Sequence, residues 1–167
     1  MTRIPPIDPA RERTWLQRAL DSFGMSAAGR WYGITIASRI DPPLLRLTRG
    51  RFATTSVLPL VLLRVRGRRS GEPRTVPLVY FTDGEEVILV ASSFGRAPHP
   101  AWYLNVVADP EVELTAAGVT GRYRARITEG AERRRLFELA RQNYAGYGDY
   151  EVLAGDREIP VLALSPA

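Results

Sequence analysis

Arg64, Arg66, Arg68, Arg69 and Arg74 crowd one short stretch of chain, with Gly67, Ser70 and Gly71 among them. Glycines let backbone N–H groups approach an anion closely, and successive amides in a turn form an anion-binding nest. Arginine adds a two-point grip on phosphate or carboxylate. A solvated basic hairpin is the competing reading, and composition alone leaves both standing.

Little else in the chain can do chemistry unaided. There is no cysteine, which excludes a thiol nucleophile, a disulfide framework and a cysteine zinc site. The one histidine, His99, sits between Pro98 and Pro100 and reads as a loop residue. A Ser-His-Asp triad would have to use it, and no G-x-S-x-G elbow marks a nucleophile. Zinc and haem sites are not expected, nor is any other metal. Glu85-Glu86 flanks a turn and reads as a solvated pair. No P-loop and no G-x-G-x-x-G is present. If the protein is an enzyme, a cofactor carries the reaction.

The charge distribution points the same way. All 23 basic side chains are arginine, which fits a GC-rich genome rather than a function. Residues 1–75 hold 14 Arg against 5 acids, a balance of 14 − 5 = +9; residues 76–167 hold 9 Arg against 13 acids, 9 − 13 = −4. The basic half calls for an anionic ligand, an anionic membrane surface or nucleic acid. No signal peptide is visible, and the longest apolar stretch is about seven residues where a span needs about 20. A cytoplasmic protein is expected.

The elements that must hold these groups follow from periodicity. Asp8-Pro9 reads as a helix start. Trp15, Leu16, Ala19, Leu20 and Phe23 recur at helical spacing, and Trp31, Ile34 and Ile36 suggest a second short helical piece. Beyond residue 56 the pattern changes to strands over 58–66, 74–81 and 86–92, with a turn at Thr82-Asp83-Gly84. A short helix spans 101–108. A hairpin of 112–115 and 120–127 turns at Gly118. Thr128 then caps a helix, and 159–164 is a last strand. Helices, antiparallel strands, then helix and strand make an α+β fold whose meander could close into a small barrel. The expected division is an amphipathic helical segment, 1–43, and a barrel domain, 44–167.

Two stretches resemble the deazaflavin-dependent nitroreductase family, whose members use coenzyme F420. Gly67-Arg68-Arg69-Ser70-Gly71-Glu72-Pro73-Arg74-Thr75-Val76-Pro77-Leu78 is similar to its G-R-x-S/T-G-x-P-R-x-x-P-L signature. Val90-Ala91-Ser92-Ser93, then Ala97-Pro98, then Pro100-Ala101-Trp102-Tyr103-Leu104-Asn105 resembles its V-A-S…A-P…P-x-W-Y-L-N block. A looser block holds Tyr144, Tyr147 and Tyr150, followed by Arg157 and Ile159-Pro160. The resemblance covers residues 44–164.

It implies a split β-barrel, related to FMN-binding barrels, with F420 in a groove. Arg68, Arg69, Ser70 and Arg74 would hold the phosphate and glutamate tail. Val76, Pro77, Leu78 and Val79 would line the ring, with Val90, Ala91, Ser92 and Ser93 meeting it. Ala101, Trp102, Tyr103 and Asn105 would fall on the coenzyme's side of the short helix. Tyr144, Tyr147 and Tyr150 would border the substrate pocket. Tyr147 or Ser92 would steady the developing oxyanion or deliver a proton, with Tyr144 and Tyr150 as further catalytic candidates. A packing face of three tyrosines is the alternative for that block.

Two positions depart from the family pattern. Val79 follows Leu78 where an aromatic residue is usual, with Tyr80 one step on and therefore on the opposite strand face. Phe94-Gly95 stands where the family has two glycines, so Phe94 could narrow the pocket.

The reading is thus an F420-dependent reductase that passes hydride to an electron-poor small molecule: a quinone, an activated enone or a nitroaromatic. FMN as the bound group and a non-catalytic F420 carrier remain rivals. Nucleic acid is not expected as a partner, because residues 64–74 contain no aromatic residue for stacking. The arginines of the N-terminal segment could rest on an anionic membrane. Flavin-type split barrels commonly pair, so a homodimer is a further expectation.

Overall fold

The computed structural model describes residues 3–9, Leu47 and residues 58–167. The N-terminal helices expected from periodicity, and nearly all of the 1–43 segment, lie outside the described residues.

Six antiparallel strands close into one barrel: β1 (Leu60–Arg66), β2 (Pro73–Asp83), β3 (Glu86–Val90), β4 (Glu111–Ala116), β5 (Val119–Ile127) and β6 (Val161–Pro166). Among the described residues three α-helices of two turns or more accompany them, α1 (Ala101–Ala108), α2 (Gly130–Asn143) and α3 (Gly146–Ala154). The order around the barrel is β1-β2-β3-β6-β5-β4. The strands do not form the simple meander that the sequence suggests. β6 inserts between β3 and β5, and the first and fourth strands pair to close the sheet.

Alternation sets the inward face. Val61, Leu63 and Val65 of β1 point into the barrel, while Arg64 and Arg66 face water. In β3, Val87 and Leu89 join the interior, and Ile88 and Val90 join a second core outside it. That second core packs Phe81, Ile88, Val161 and Ala163 against Leu136, Phe137 and Ala140 of α2 and Tyr147 and Tyr150 of α3. β3 and β6 are therefore apolar on both faces, and read as continuous hydrophobic runs. The two-residue turn Ala117-Gly118 has positive φ at both positions, the twist a tight hairpin requires.

β2 serves two neighbours in succession. Residues Pro73 to Val79 pair with β1, and Tyr80 to Asp83 pair with β3. Past the Tyr80–Leu89 pair, the end of β3 follows β6 instead: Val90 pairs with Val161, and the Ala91 amide donates to the Pro160 carbonyl at 2.9 Å. The two strands part there. The β1–β2 turn and the chain beyond Val90 lie at this same end of the barrel.

Several local expectations need correction. Thr128 is not the cap of α2; Glu129 holds that position, and the buried Thr128 hydroxyl donates to the Val161 carbonyl at 2.9 Å. The strands run 60–66, 73–83, 86–90, 111–116, 119–127 and 161–166, shifted by a few residues from their sequence limits. Helix α3 was not foreseen. Residues 3–9 lie along the barrel: the Ile4 amide donates to the Tyr123 hydroxyl at 3.0 Å, and the Tyr80 hydroxyl donates to the Pro5 carbonyl at 3.0 Å.

Arg133 ties α2 to the segment entering β6. Its Nε and Nη2 donate to the Ile159 carbonyl at 3.1 and 2.8 Å, and its guanidinium lies 5.1 Å from the Phe137 ring centre. Glu158 supplies the counter-charge at 3.3 Å. Replacing Arg133 with Ala leaves that carbonyl unpaired and a gap beside Phe137. Urea unfolding of Arg133→Ala should show a loss of about 2–4 kcal/mol.

Candidate functional site

The basic turn between β1 and β2 is held from inside. The Gly67 amide donates to the Glu72 carbonyl at 2.8 Å, and the Gly71 amide to the Gly67 carbonyl at 2.7 Å. The Glu72 amide reaches Ser70 Oγ at 3.3 Å. The Arg68 amide donates to Asn105 Oδ1 at 3.1 Å, so a buried side chain of α1 fastens the turn. A Cβ at Gly67 would stand 2.8 Å from Ser70 Oγ and 3.1 Å from the Glu72 carbonyl, so the turn closes only over glycine. Four of its amides are engaged in this way. What the turn presents outward is guanidinium rather than a run of open N–H groups.

The five arginines of the cluster divide by their partners. Arg64 pairs with Glu113 at 3.5 Å, and Arg66 with Asp109 at 4.0 Å. Arg68, Arg69 and Arg74 are exposed, and among the described residues no carboxylate lies within ion-pair distance of them. Three positive charges on this pinned turn and its exit have no acidic partner among the described residues. An anionic ligand meets them without displacing an existing partner.

The ring-lining candidates fall on two faces. Val76 and Leu78 pack against the barrel interior, and so do Trp102 and Tyr103 of α1. All four remain half-buried, at the end where β2 and β3 part. Pro77 and Val79, at alternate positions of the same strand, face the other way. Ala91 is fully buried in the interior cluster, whereas Val90 belongs to the outer one. Ala101 is exposed on the first turn of α1. Tyr80, 3% exposed, points into the barrel, as the strand alternation requires.

The segment 91–95 joins these residues to the tyrosines. Arg157 Nη2 donates to the Ser92 carbonyl at 2.7 Å, and Nη1 to the Ala91 carbonyl at 3.5 Å. Its Nε is buried without a partner among the described residues, and burial holds its pKa below the ordinary arginine value. Ser93, Phe94 and Gly95 then have φ of 55°, 56° and 74°, three left-handed residues in a row. A Cβ at Gly95 would lie 2.5 Å from Leu153 Cβ and 3.0 Å from the Tyr150 carbonyl, so this turn packs directly on α3.

The three tyrosines form one aromatic cluster. Ring centres lie 5.4 Å apart for Tyr144–Tyr147, 6.1 Å for Tyr144–Tyr150 and 6.2 Å for Tyr147–Tyr150. The Tyr144 and Tyr150 hydroxyls are 3.2 Å apart. Tyr147 is 5% exposed, and burial first, then the neighbouring Tyr144, pushes its phenol well above the ordinary tyrosine value. Tyr150 is also buried; Tyr144, Ser92 and Ser93 are only half-buried.

Sequence comparison agrees with this geometry. The profile of the F420H(2)-dependent quinone reductase family matches residues 38–166. The chain belongs to this family. A candidate F420H(2)-dependent quinone reductase of Mycobacterium tuberculosis is 35% identical over 109 residues, covering 65% of this chain and 91% of the relative. The solved F420-H2-dependent reductase FDR-A is 37% identical and superposes at a TM-score of 0.59, covering 64% of this chain and 94% of its own. A second solved relative, described as a domain-swapped dimer, is 35% identical with a TM-score of 0.60, over 74% of this chain and 94% of its own.

As a member of the F420H(2)-dependent quinone reductase family, the chain is an oxidoreductase whose cofactor is coenzyme F420. The donor set suits that group. Three guanidiniums without acidic partners among the described residues match a phosphodiester and carboxylate tail, and the half-buried Val76, Leu78, Trp102 and Tyr103 near them are apolar enough to face a flat ring. The sequence motifs named most of these residues. They placed Arg157 in the looser block, between Asp156 and Glu158, but gave it no role.

Replacing Arg157 with Met should keep the fold and loosen the segment it holds. The Gly95 amide, bonded to the Ser92 carbonyl at 3.0 Å, and the Arg96 amide, bonded to the Ser93 carbonyl at 3.1 Å, report on that segment. Their hydrogen exchange in Arg157→Met should speed up about tenfold or more, as expected for loss of a charge-assisted bond.

Proposed function

We propose that this chain reduces quinones with F420H2, holding the coenzyme tail on Arg68, Arg69 and Arg74 and the ring between Val76 and Leu78 on one side and Ala91 to Ser93 on the other. The observation that carries this reading is the division of the arginine cluster. The two arginines on the strand have acidic partners, and the three on the turn and its exit have none. Bound, the reduced coenzyme supplies the hydride.

The chain's own residues do the rest. The pinned turn fixes the anionic end of the ligand and so sets how far the ring reaches into the cleft. Trp102 and Tyr103 close the apolar side and keep water from the transfer. Hydride addition to a quinone places negative charge on its oxygen, and a proton must follow to complete the hydroquinone. We assign proton delivery to the half-buried hydroxyls of Ser92 and Tyr144, with Tyr150 linked to Tyr144 through its own hydroxyl. Tyr147, first in line from the motif, is a buried side chain packed on Phe137 and on the rings of Tyr144 and Tyr150. It serves better as the packing that seats the other two rings.

Enones and nitroaromatics accept charge on oxygen in the same way and are further candidate acceptors. The domain-swapped relative supports a homodimer for this chain, which light scattering of the purified protein would report. Among the described residues no helix is long and apolar enough to cross a membrane. A peripheral contact through the N-terminal arginines stays part of the reading.

Titration with F420, followed by its fluorescence, should give micromolar or tighter binding, weakened at least tenfold in Arg68→Ala/Arg74→Ala. Preference for FMN, or no effect of the double change, would overturn the assignment. With F420H2 and a quinone, Ser92→Ala and Tyr144→Phe should each lower turnover about tenfold or more while Tyr147→Phe changes it little. A large loss confined to Tyr147→Phe would reverse the order of roles.

A further inference from the structure

Phe94 has a backbone conformation that its side chain does not favour. Its φ and ψ are 56° and 33°, and Ser93 before it and Gly95 after it are also left-handed. For a bulky aromatic residue this is an outlier with a real energetic cost. Packing does not offset it. The ring stays 40% exposed, where a buried phenylalanine would gain much more from leaving water. Glycine would adopt the same turn without strain.

The strain holds the ring in a defined place. Gly95 packs so closely on Leu153 and Tyr150 that the turn cannot slide, and Arg157 fixes its entrance through the Ala91 and Ser92 carbonyls. The Phe94 ring stands edge-on to Tyr150, with centres 5.8 Å apart and planes at 77°. The Arg96 guanidinium lies 5.7 Å from its centre, itself tethered by Nε to the Ser93 carbonyl at 3.1 Å. Phe94 thus extends the aromatic cluster outward from Tyr144 and Tyr150 to the solvent edge, with a positive charge beside it.

We propose that Phe94 is a specificity-determining residue: a plate on which a flat, electron-poor acceptor stacks, favouring fused two-ring quinones over one-ring quinones. This rests on reading the Ala91–Ser93 segment as the coenzyme's ring site. The plate offers more stacking area to the larger ring system, and Arg96 stands where charge develops on the acceptor oxygen.

The test uses the full chain saturated with oxidised F420. Calorimetric titration gives the affinities of menadione, a two-ring quinone, and duroquinone, a one-ring quinone. Wild type should prefer menadione. Phe94→Gly should weaken menadione about fivefold and leave duroquinone and F420 affinities within twofold. Without ligand, the same change should raise the unfolding midpoint by about 2–4 °C, because strain is relieved. Phe94→Leu keeps the strained backbone, so it should lose the menadione preference without that rise. An unchanged affinity ratio in Phe94→Gly, a lowered midpoint, or no quinone binding to the wild-type complex would each overturn the proposal. Failure of the wild type to bind F420 would instead remove the ring-site reading, and this proposal with it.

Discussion

The site depends on one constraint of the barrel, that β2 must pair with β1 along its first part and β3 along its second. A strand has one hydrogen-bonding edge on each side, and here the second edge is used only from Tyr80 onward. Below that point the end of β3 is drawn to β6, and its old neighbour is left facing a gap. Half-apolar side chains line the parting because neither strand covers them. A flat ligand can fill such a place without breaking a ladder. The barrel is closed by its hydrogen bonds, yet the first part of β2 has no β3 partner at this end.

Charge is distributed to match. Exposed ion pairs contribute little to stability, so the pairing of Arg64 and Arg66 with Glu113 and Asp109 is better read as neutralisation than as reinforcement. Within this cluster it leaves Arg68, Arg69 and Arg74 as the arginines without an acidic partner among the described residues. The turn that bears them is short, closed over Gly67 and tied to α1 by Asn105. A guanidinium on a fixed backbone loses less freedom on binding than one on a loose loop. The same logic covers the other end of the cleft, where Arg157 spends its hydrogen bonds on two carbonyls instead of a carboxylate.

Much of this was legible in the sequence because it is local. The basic turn, the W-Y-L-N helix and the strand alternation each depend on residues close in the chain. That Tyr80 lies on the face opposite Val79 followed from period two alone; that this face is the barrel interior came from the fold. Contacts between distant segments were not legible. β6 separates β3 from β5, and no local pattern announces which strands a C-terminal run will join. Helix α3 was hidden because Gly146-Tyr147-Gly148 reads as a loop; packing of Tyr147 and Tyr150 on the outer face of the sheet outweighs the weak helix propensity. Thr128 looked like a cap from its type, and its hydroxyl instead serves the Val161 carbonyl of the neighbouring strand β6. Arg157 was named in the looser block without a role for the same reason: its partners are more than sixty residues away.

The tyrosine block shows how burial reorders a motif. Spacing alone treats Tyr144, Tyr147 and Tyr150 as equivalents, one per helical turn. The fold does not. Tyr147 faces Phe137 and the sheet, with ring centres 6.5 Å apart, and desolvation makes its phenol a poorer acid. Tyr144 lies between α2 and α3, at the C-terminal end of α2 with its ring against Gly146, and is only half-buried. A proton donor must reach its acceptor and be resupplied, and a hydroxyl sealed in an apolar core does neither readily. On the proposed reading, Tyr147 serves the core, and proton delivery falls to the half-buried Ser92 and Tyr144.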